Sequence, residues 1–216
     1  MDRCAHMSRG ASILRGRGLR LRRVAAGCGD RTVRVWAAAD GKSARVLRLH
    51  ADWVQAVAFS PDGARLLTAS RDRTARMIDL ASGEVATSYT GHDAPLLGAG
   101  FSPDGTQAWT LARSGAMHRW DAGRATRSGE LKGAEWTLFR TAAAGMLAVA
   151  GDHKLRFYQG ADRTPAATWE AGGSAVQALA ISPDAKLGAS GAADGTVAVF
   201  TLPEGKPLKA WVAAPR

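Results

Sequence analysis

The sequence predicts an all-β chain made of one four-stranded antiparallel unit repeated several times. Three observations predict it. A tight-turn position recurs at Asp30, Asp72, Ser114, Asp152 and Asp194, at intervals of 42, 42, 38 and 42 residues. Six positions after each stands a large apolar residue: Trp36, Ile78, Trp120, Tyr158 and Phe200. The turns SPDG at residues 60–63, SPDG at 102–105 and SPDA at 182–185 end nine residues before Asp72, Ser114 and Asp194. A fixed period of this length marks one supersecondary unit stacked on itself.

Within the unit the apolar spacing is two, not 3.6. The first strand of the unit is read in Val57-Ala58-Phe59, Ala99-Gly100-Phe101 and Leu179-Ala180-Ile181, each leading into an SPDG-type turn. In that turn proline fixes φ, aspartate bonds the backbone and glycine accepts a positive φ. The second strand follows in Arg65-Leu66-Leu67-Thr68, Gln107-Ala108-Trp109-Thr110 and Lys186-Leu187-Gly188-Ala189. The third runs from Val33 to Trp36 and its equivalents, and a looser fourth covers segments such as 84–89 or 206–212. Alternating apolar residues bounded by Gly, Pro, Asp and Ser are the pattern of short antiparallel strands. No stretch carries a convincing amphipathic helix. Four antiparallel strands at this period are the blade of a β-propeller.

The division expected is a basic, disordered arm over residues 1–20, a repeat body over 21–212 and a tail over 213–216. The units are about 21–49, 50–91, 92–132, 133–171 and 172–212. The first unit is expected to hold three strands only, because its missing strand would fall on SILRGRG, too basic and glycine-rich for a buried position. Four full blades and a partial one suggest part of a ring: an open arc, or a fragment of a longer protein. An open arc would leave blade faces uncovered and favour self-association.

Composition excludes several classes. Apolar residues make up 46% and charged residues 22%, an ordinary globular balance. The net charge of +10 is concentrated at the start: residues 1–34 hold nine arginines against Asp2 and Asp30. That arm could be an organellar presequence or a nucleic-acid-binding segment, but the preferred reading is a poorly defined terminus. It lacks the apolar run of a signal peptide, although Ala25-Ala26-Gly27-Cys28 superficially resembles a lipoprotein cleavage site. No stretch approaches the ~20 apolar residues of a membrane span. Two cysteines, Cys4 and Cys28, are too few for a disulfide framework, so a reducing, cytoplasmic setting is expected.

The repeated segments resemble WD repeats. The resemblance rests on Leu49-His50 and Gly91-His92 at a Gly-His position, the three SPDG-type turns, Asp-x-Thr at residues 30–32, 72–74 and 194–196, and Trp120-Asp121 at a strand end. It covers about 190 of the 216 residues. It implies a buried network of a His, a strand Ser or Thr, the turn Asp and a Trp. The residues at those positions are Asp30 and Trp36 in the first unit, and His50, Thr68 or Ser70, and Asp72 in the second. The third unit has His92, Thr110 and Trp120, and the fifth has Asp194. No unit has the full set: Ile78 replaces Trp in the second, Ser114 replaces Asp in the third, and the fourth and fifth lack the His. Aliphatic packing is expected to compensate. The fourth unit, with Thr141-Ala142-Ala143-Ala144-Gly145 in place of SPDG, departs furthest.

Function is expected to lie in surface recognition. The resemblance implies a non-catalytic scaffold that docks a protein on the face formed by loops into the first strand and turns between the second and third. The matching positions are Trp53, Arg71, Arg73, Pro95 and Arg113. Trp53 could equally be packing between blades. A competing class is a nucleic-acid or acidic-partner binder using the N-terminal arginines and a stripe of Arg34, Arg76, His118 and Arg156, though stems packed between blades explain that stripe better. No His-x-x-His or Cys-x-x-Cys spacing suggests a metal, and no cofactor motif is present. Ser60, Ser102 and Ser182 are explained by turn geometry, so a hydrolase is the least favoured reading.

Overall fold

The turn residues fix where the strands begin and end. The computed structural model describes residues 7–15, 21–133, 136–141, 146–151, 153–159, 165–170, 174–182, 184, 186–202 and 204–213. In the first SPDG turn, Ser60 Oγ donates to Asp62 Oδ1 and accepts the Arg65 N–H at 2.8 Å, while Gly63 sits at φ 71°. Ser102, Asp104 and Gly105, at φ 72°, repeat this arrangement. Ser182 and Asp184 repeat its hydrogen bonds. Local side-chain bonding thus closes each hairpin before any tertiary contact is needed.

Among the described residues there are twenty strands, arranged as five four-stranded sheets, and no helix. Each sheet is an antiparallel meander, the blade of a β-propeller. The first is β1 (Met7–Arg15), β2 (Leu21–Cys28), β3 (Thr32–Ala37) and β4 (Ser43–Arg48). The second is β5 (Val54–Phe59), β6 (Arg65–Ser70), β7 (Ala75–Asp79) and β8 (Val85–Tyr89). The third is β9 (Leu96–Phe101), β10 (Gln107–Ala112), β11 (Ala116–Asp121) and β12 (Arg127–Lys132). The fourth is β13 (Trp136–Thr141), β14 (Met146–Gly151), β15 (Lys154–Gln159) and β16 (Ala167–Glu170). The fifth is β17 (Val176–Ile181), β18 (Leu187–Ala192), β19 (Thr196–Thr201) and β20 (Pro207–Val212).

The first sheet corrects the expectation of a three-stranded unit preceded by a disordered arm. β1 occupies Met7–Arg15 and pairs antiparallel with β2, Ile13 opposite Val24 and Leu14 opposite Arg23. A strand adding to an existing edge is held by backbone hydrogen bonds, which no side-chain composition forbids. Cys28, fully buried in β2, is disulfide-bonded, a state the two-cysteine count did not lead us to expect. Residues 142–145 and Asp152 lie outside the described residues.

The chain divides into two compact units, Met1–Glu130 and Leu131–Arg216, the boundary falling inside β12. In the first unit, β5 packs against β1 and β2, and β9 packs against β5 and β6. Between the first two sheets the core is aliphatic: Ala25, Val33, Val35, Val54, Val57, Leu66, Ile78 and Leu80. A Cβ on Gly27 would lie 2.6 Å from the Val54 carbonyl oxygen, so glycine permits the close approach of these sheets. Between the second and third sheets aromatic residues join in, with Tyr89, Phe101 and Trp120 among Leu67, Met77 and Leu96. The second unit has its own core of Leu155, Phe157, Val176, Leu179 and Phe200. In the second sheet burial falls from β6, almost wholly buried, to β8, which alternates, and in the fifth sheet β20 is exposed throughout.

Candidate docking face and its supporting network

The second sheet shows how the loop bearing Trp53 is held. Asp72 closes the β6–β7 turn by accepting the Thr74 N–H at 2.9 Å and its hydroxyl at 2.7 Å. Its other oxygen accepts the Ala51 N–H at 3.0 Å and faces His50 Nδ1 at 2.9 Å. On the far side of the ring, His50 Nε2 meets the Thr68 hydroxyl at 2.7 Å. One carboxylate therefore ties turn, loop and strand together. Ser70 adds a second tie, donating to the Asp52 carbonyl at 3.0 Å and accepting the Asp72 N–H at 3.1 Å. Burial pushes the Asp72 acid up, but the donors of Thr74, Ala51 and His50 outweigh it and hold it at about 2. Ile78, fully buried, fills the space of the missing tryptophan.

The third sheet has the complementary set. Trp120 is fully buried and donates its indole N–H to Thr110 Oγ1 at 3.2 Å. The same Thr110 hydroxyl meets His92 Nε2 at 2.8 Å. His92 Nδ1 is buried without a hydrogen-bond partner, because Ser114 stands where the second sheet has Asp72. His118 stacks on His92 with centroids 3.9 Å apart, and the Tyr89 hydroxyl reaches its Nδ1 at 2.8 Å. Its Nε2 lies 3.6 Å from Glu130. Sequence reasoning grouped His118 with Arg34, Arg76 and Arg156 as a stripe better explained by packing between blades; its stacking on His92 and its contact with Tyr89 were not anticipated.

Burial holds the His92 acid constant down at about 3, with the neighbouring His118 charge acting in the same direction. Burial lowers His118 too, against the pull of Glu130, and lowers His50 against the hydrogen bond and charge of Asp72. All three rings are thus kept neutral in the fold, whereas unfolded histidine titrates near ~6.5. A lowered histidine contributes stability that is present above the unfolded value and lost as pH falls below it. The melting temperature should therefore fall between about pH 6.5 and pH 4. His92→Gln should flatten that decline, and an unchanged slope would show that His92 does not drive it.

The other network positions differ. Asp30 accepts the Thr32 N–H at 3.0 Å and pairs with Arg34 at 2.9 Å. Trp36, expected to be buried with its N–H bonded, is half-buried, and Ala26 stands where Thr110 accepts the Trp120 indole. Asp194 is exposed and accepts the Thr196 N–H at 2.8 Å.

The five surface positions fall at one end of the first unit. The Arg71 N–H donates to the Trp53 carbonyl at 2.9 Å, and the Arg113 N–H donates to the Pro95 carbonyl at 2.8 Å. These equivalent bonds place Trp53 beside Arg71 and Pro95 beside Arg113, each loop next to its turn. Trp53 is 43% exposed, with the Arg71 guanidinium 5.1 Å from its ring centroid. Asp52 lies 4.0 Å from Arg71. Arg73 and Arg113 are exposed, and Pro95 is half-buried. The strand stripe is less available: Arg34 is paired, His118 is buried, and Arg76 and Arg156 are half-buried.

Among the described residues no group of three or more His, Cys, Asp or Glu could hold a metal ion. No described helix is long and apolar enough to cross a membrane.

The family model described as WD domain, G-beta repeat matches residues 41–79 and 163–201. The first match spans β4 and β5–β7, the outer strand of one sheet and three strands of the next; the second spans β16 and β17–β19 in the same way. No curated protein matches the chain.

Proposed function

Because two segments of this chain match the WD-repeat family model, we propose that it works as a non-catalytic scaffold that docks a protein partner on the face bearing Trp53, Arg71, Arg73, Pro95 and Arg113. WD repeats in general mediate protein–protein interaction. The observation that carries the reading is Trp53: a large aromatic, 43% exposed, braced by Arg71 on a loop fixed by Asp72 and Ser70. Tryptophan and arginine are the residues most often found as interface hot spots, and a rigid loop lowers the ordering cost of binding. Affinity capture with mass spectrometry, run in parallel on the chain and on Trp53→Ala, tests this. Proteins retained by the first and lost from the second support it; identical recovery counts against it.

The sequence motifs give a hydrolase reading no support, and generic ester and phosphoester substrates should not be turned over. The cytoplasmic setting belongs to this reading and carries its own test. The disulfide at Cys28 counts against it, and alkylation at lysis decides: Cys28 recovered in a disulfide would place the chain in an oxidising compartment, and Cys28 alkylated as a thiol would keep the reducing setting.

A further inference from the structure

We infer that the β2–β3, β6–β7 and β10–β11 turns form a cationic rim around Trp53 built to take an acidic peptide, and that Arg31 and Arg73 are held there at the expense of backbone strain. This rests on the docking face proposed above and names the chemistry of its partner.

The first observation is conformational. The residue after the turn position is Arg31 in the first sheet and Arg73 in the second, at φ 69° and 70°. The same place holds Gly115 at φ 80° in the third sheet, His153 at φ 60° in the fourth and Gly195 at φ 84° in the fifth. Glycine is the ordinary occupant of this left-handed backbone, and a branched or long L-residue there is strained. Two of these sheets thus carry an arginine where the fold itself is best served by glycine. Strain at an exposed turn points to the side chain as the reason for the residue.

The second observation is charge. Arg31, Arg71, Arg73 and Arg113 are all exposed on turns of the first unit. Of these, only Arg71 approaches a carboxylate, Asp52 at 4.0 Å, among the described residues. The neighbouring acids are otherwise engaged: Asp30 with Thr32 and Arg34, Asp72 with His50 and Thr74. The rim therefore presents discrete cations, one of them over the Trp53 ring, complementary to spaced carboxylates and an apolar or aromatic side chain. A continuous phosphate backbone suits it less, since Asp52 and the exposed Asp93 interrupt it.

The inference separates stability from binding in a way a structural role would not. Arg31→Gly with Arg73→Gly should raise the melting temperature by about 2–4 °C, because the strain is relieved. The same double variant should weaken, by about tenfold or more, binding of a fluorescent twelve-residue Glu-rich peptide containing one Phe, followed by anisotropy. Lys42→Ala with Arg124→Ala removes equal charge at the opposite turns and should leave that affinity within about twofold. A single-stranded oligonucleotide of equal charge should bind more weakly than the peptide. Tighter oligonucleotide binding, a fall in melting temperature, or unchanged peptide affinity in the double variant would overturn the inference. If a captured protein is lost with Trp53→Ala yet kept with the double variant, the docking face stands and only the acidic-peptide assignment fails.

Discussion

Trp120→Ala should destabilise the first unit by about 3–5 kcal/mol, the range for deleting a large buried aromatic. Trp120 has no exposed surface, stacks on Tyr89 with centroids 5.0 Å apart, and bonds Thr110 through its indole. Its loss opens a cavity in the core shared by the second and third sheets and leaves Thr110 without a donor. The fall in melting temperature should be about 10 °C or more. Trp120→Phe keeps most of the volume and should recover over half of the loss. Differential scanning calorimetry on the two variants checks both the size of the effect and its division between packing and hydrogen bond.

Asp72→Asn should cost about 2–4 kcal/mol at neutral pH, because one carboxylate serves His50, Ala51 and Thr74 at once. The pH dependence identifies the cause. Asp72 is held at about 2, below the ~3.9 of an unfolded aspartate. A carboxylate lowered in this way contributes stability that is complete above the unfolded value and lost as pH falls towards the folded one. The stability gap between the chain and Asp72→Asn should therefore be constant above about pH 5 and shrink between about pH 4 and pH 2. A gap that persists unchanged at pH 2 would assign the cost to shape rather than charge.

The sheets were legible where local chemistry decides them. Ser60, Asp62 and Gly63 close a hairpin through bonds within six residues, and β6 follows as an unbroken buried strand. β1 was not legible, because an arginine- and glycine-rich segment gives no apolar alternation to read, while the backbone pairing that forms it is independent of side chains. Trp36 failed for a different reason. The register placed it at the strand end, but the hydroxyl that accepts the Trp120 indole sits on the neighbouring strand, and the matching position here is Ala26. The stacking of His118 was not legible, because one position in the repeat can hold a half-buried arginine in one sheet and a stacked ring in the next. The strain at Arg31 and Arg73 is a backbone property and has no signature in composition.

Whether Trp53 serves recognition or folding is tested by one paired measurement on Trp53→Ala: the melting temperature and the Kd for a captured protein partner. With 43% of its surface already exposed, truncation should move the melting temperature by less than about 3 °C. As a hot spot it should weaken the partner's Kd by about thirtyfold, the equivalent of ~2 kcal/mol. A melting temperature lowered as far as in Trp120→Ala, with the Kd unchanged, would make Trp53 part of the core and contradict the docking face.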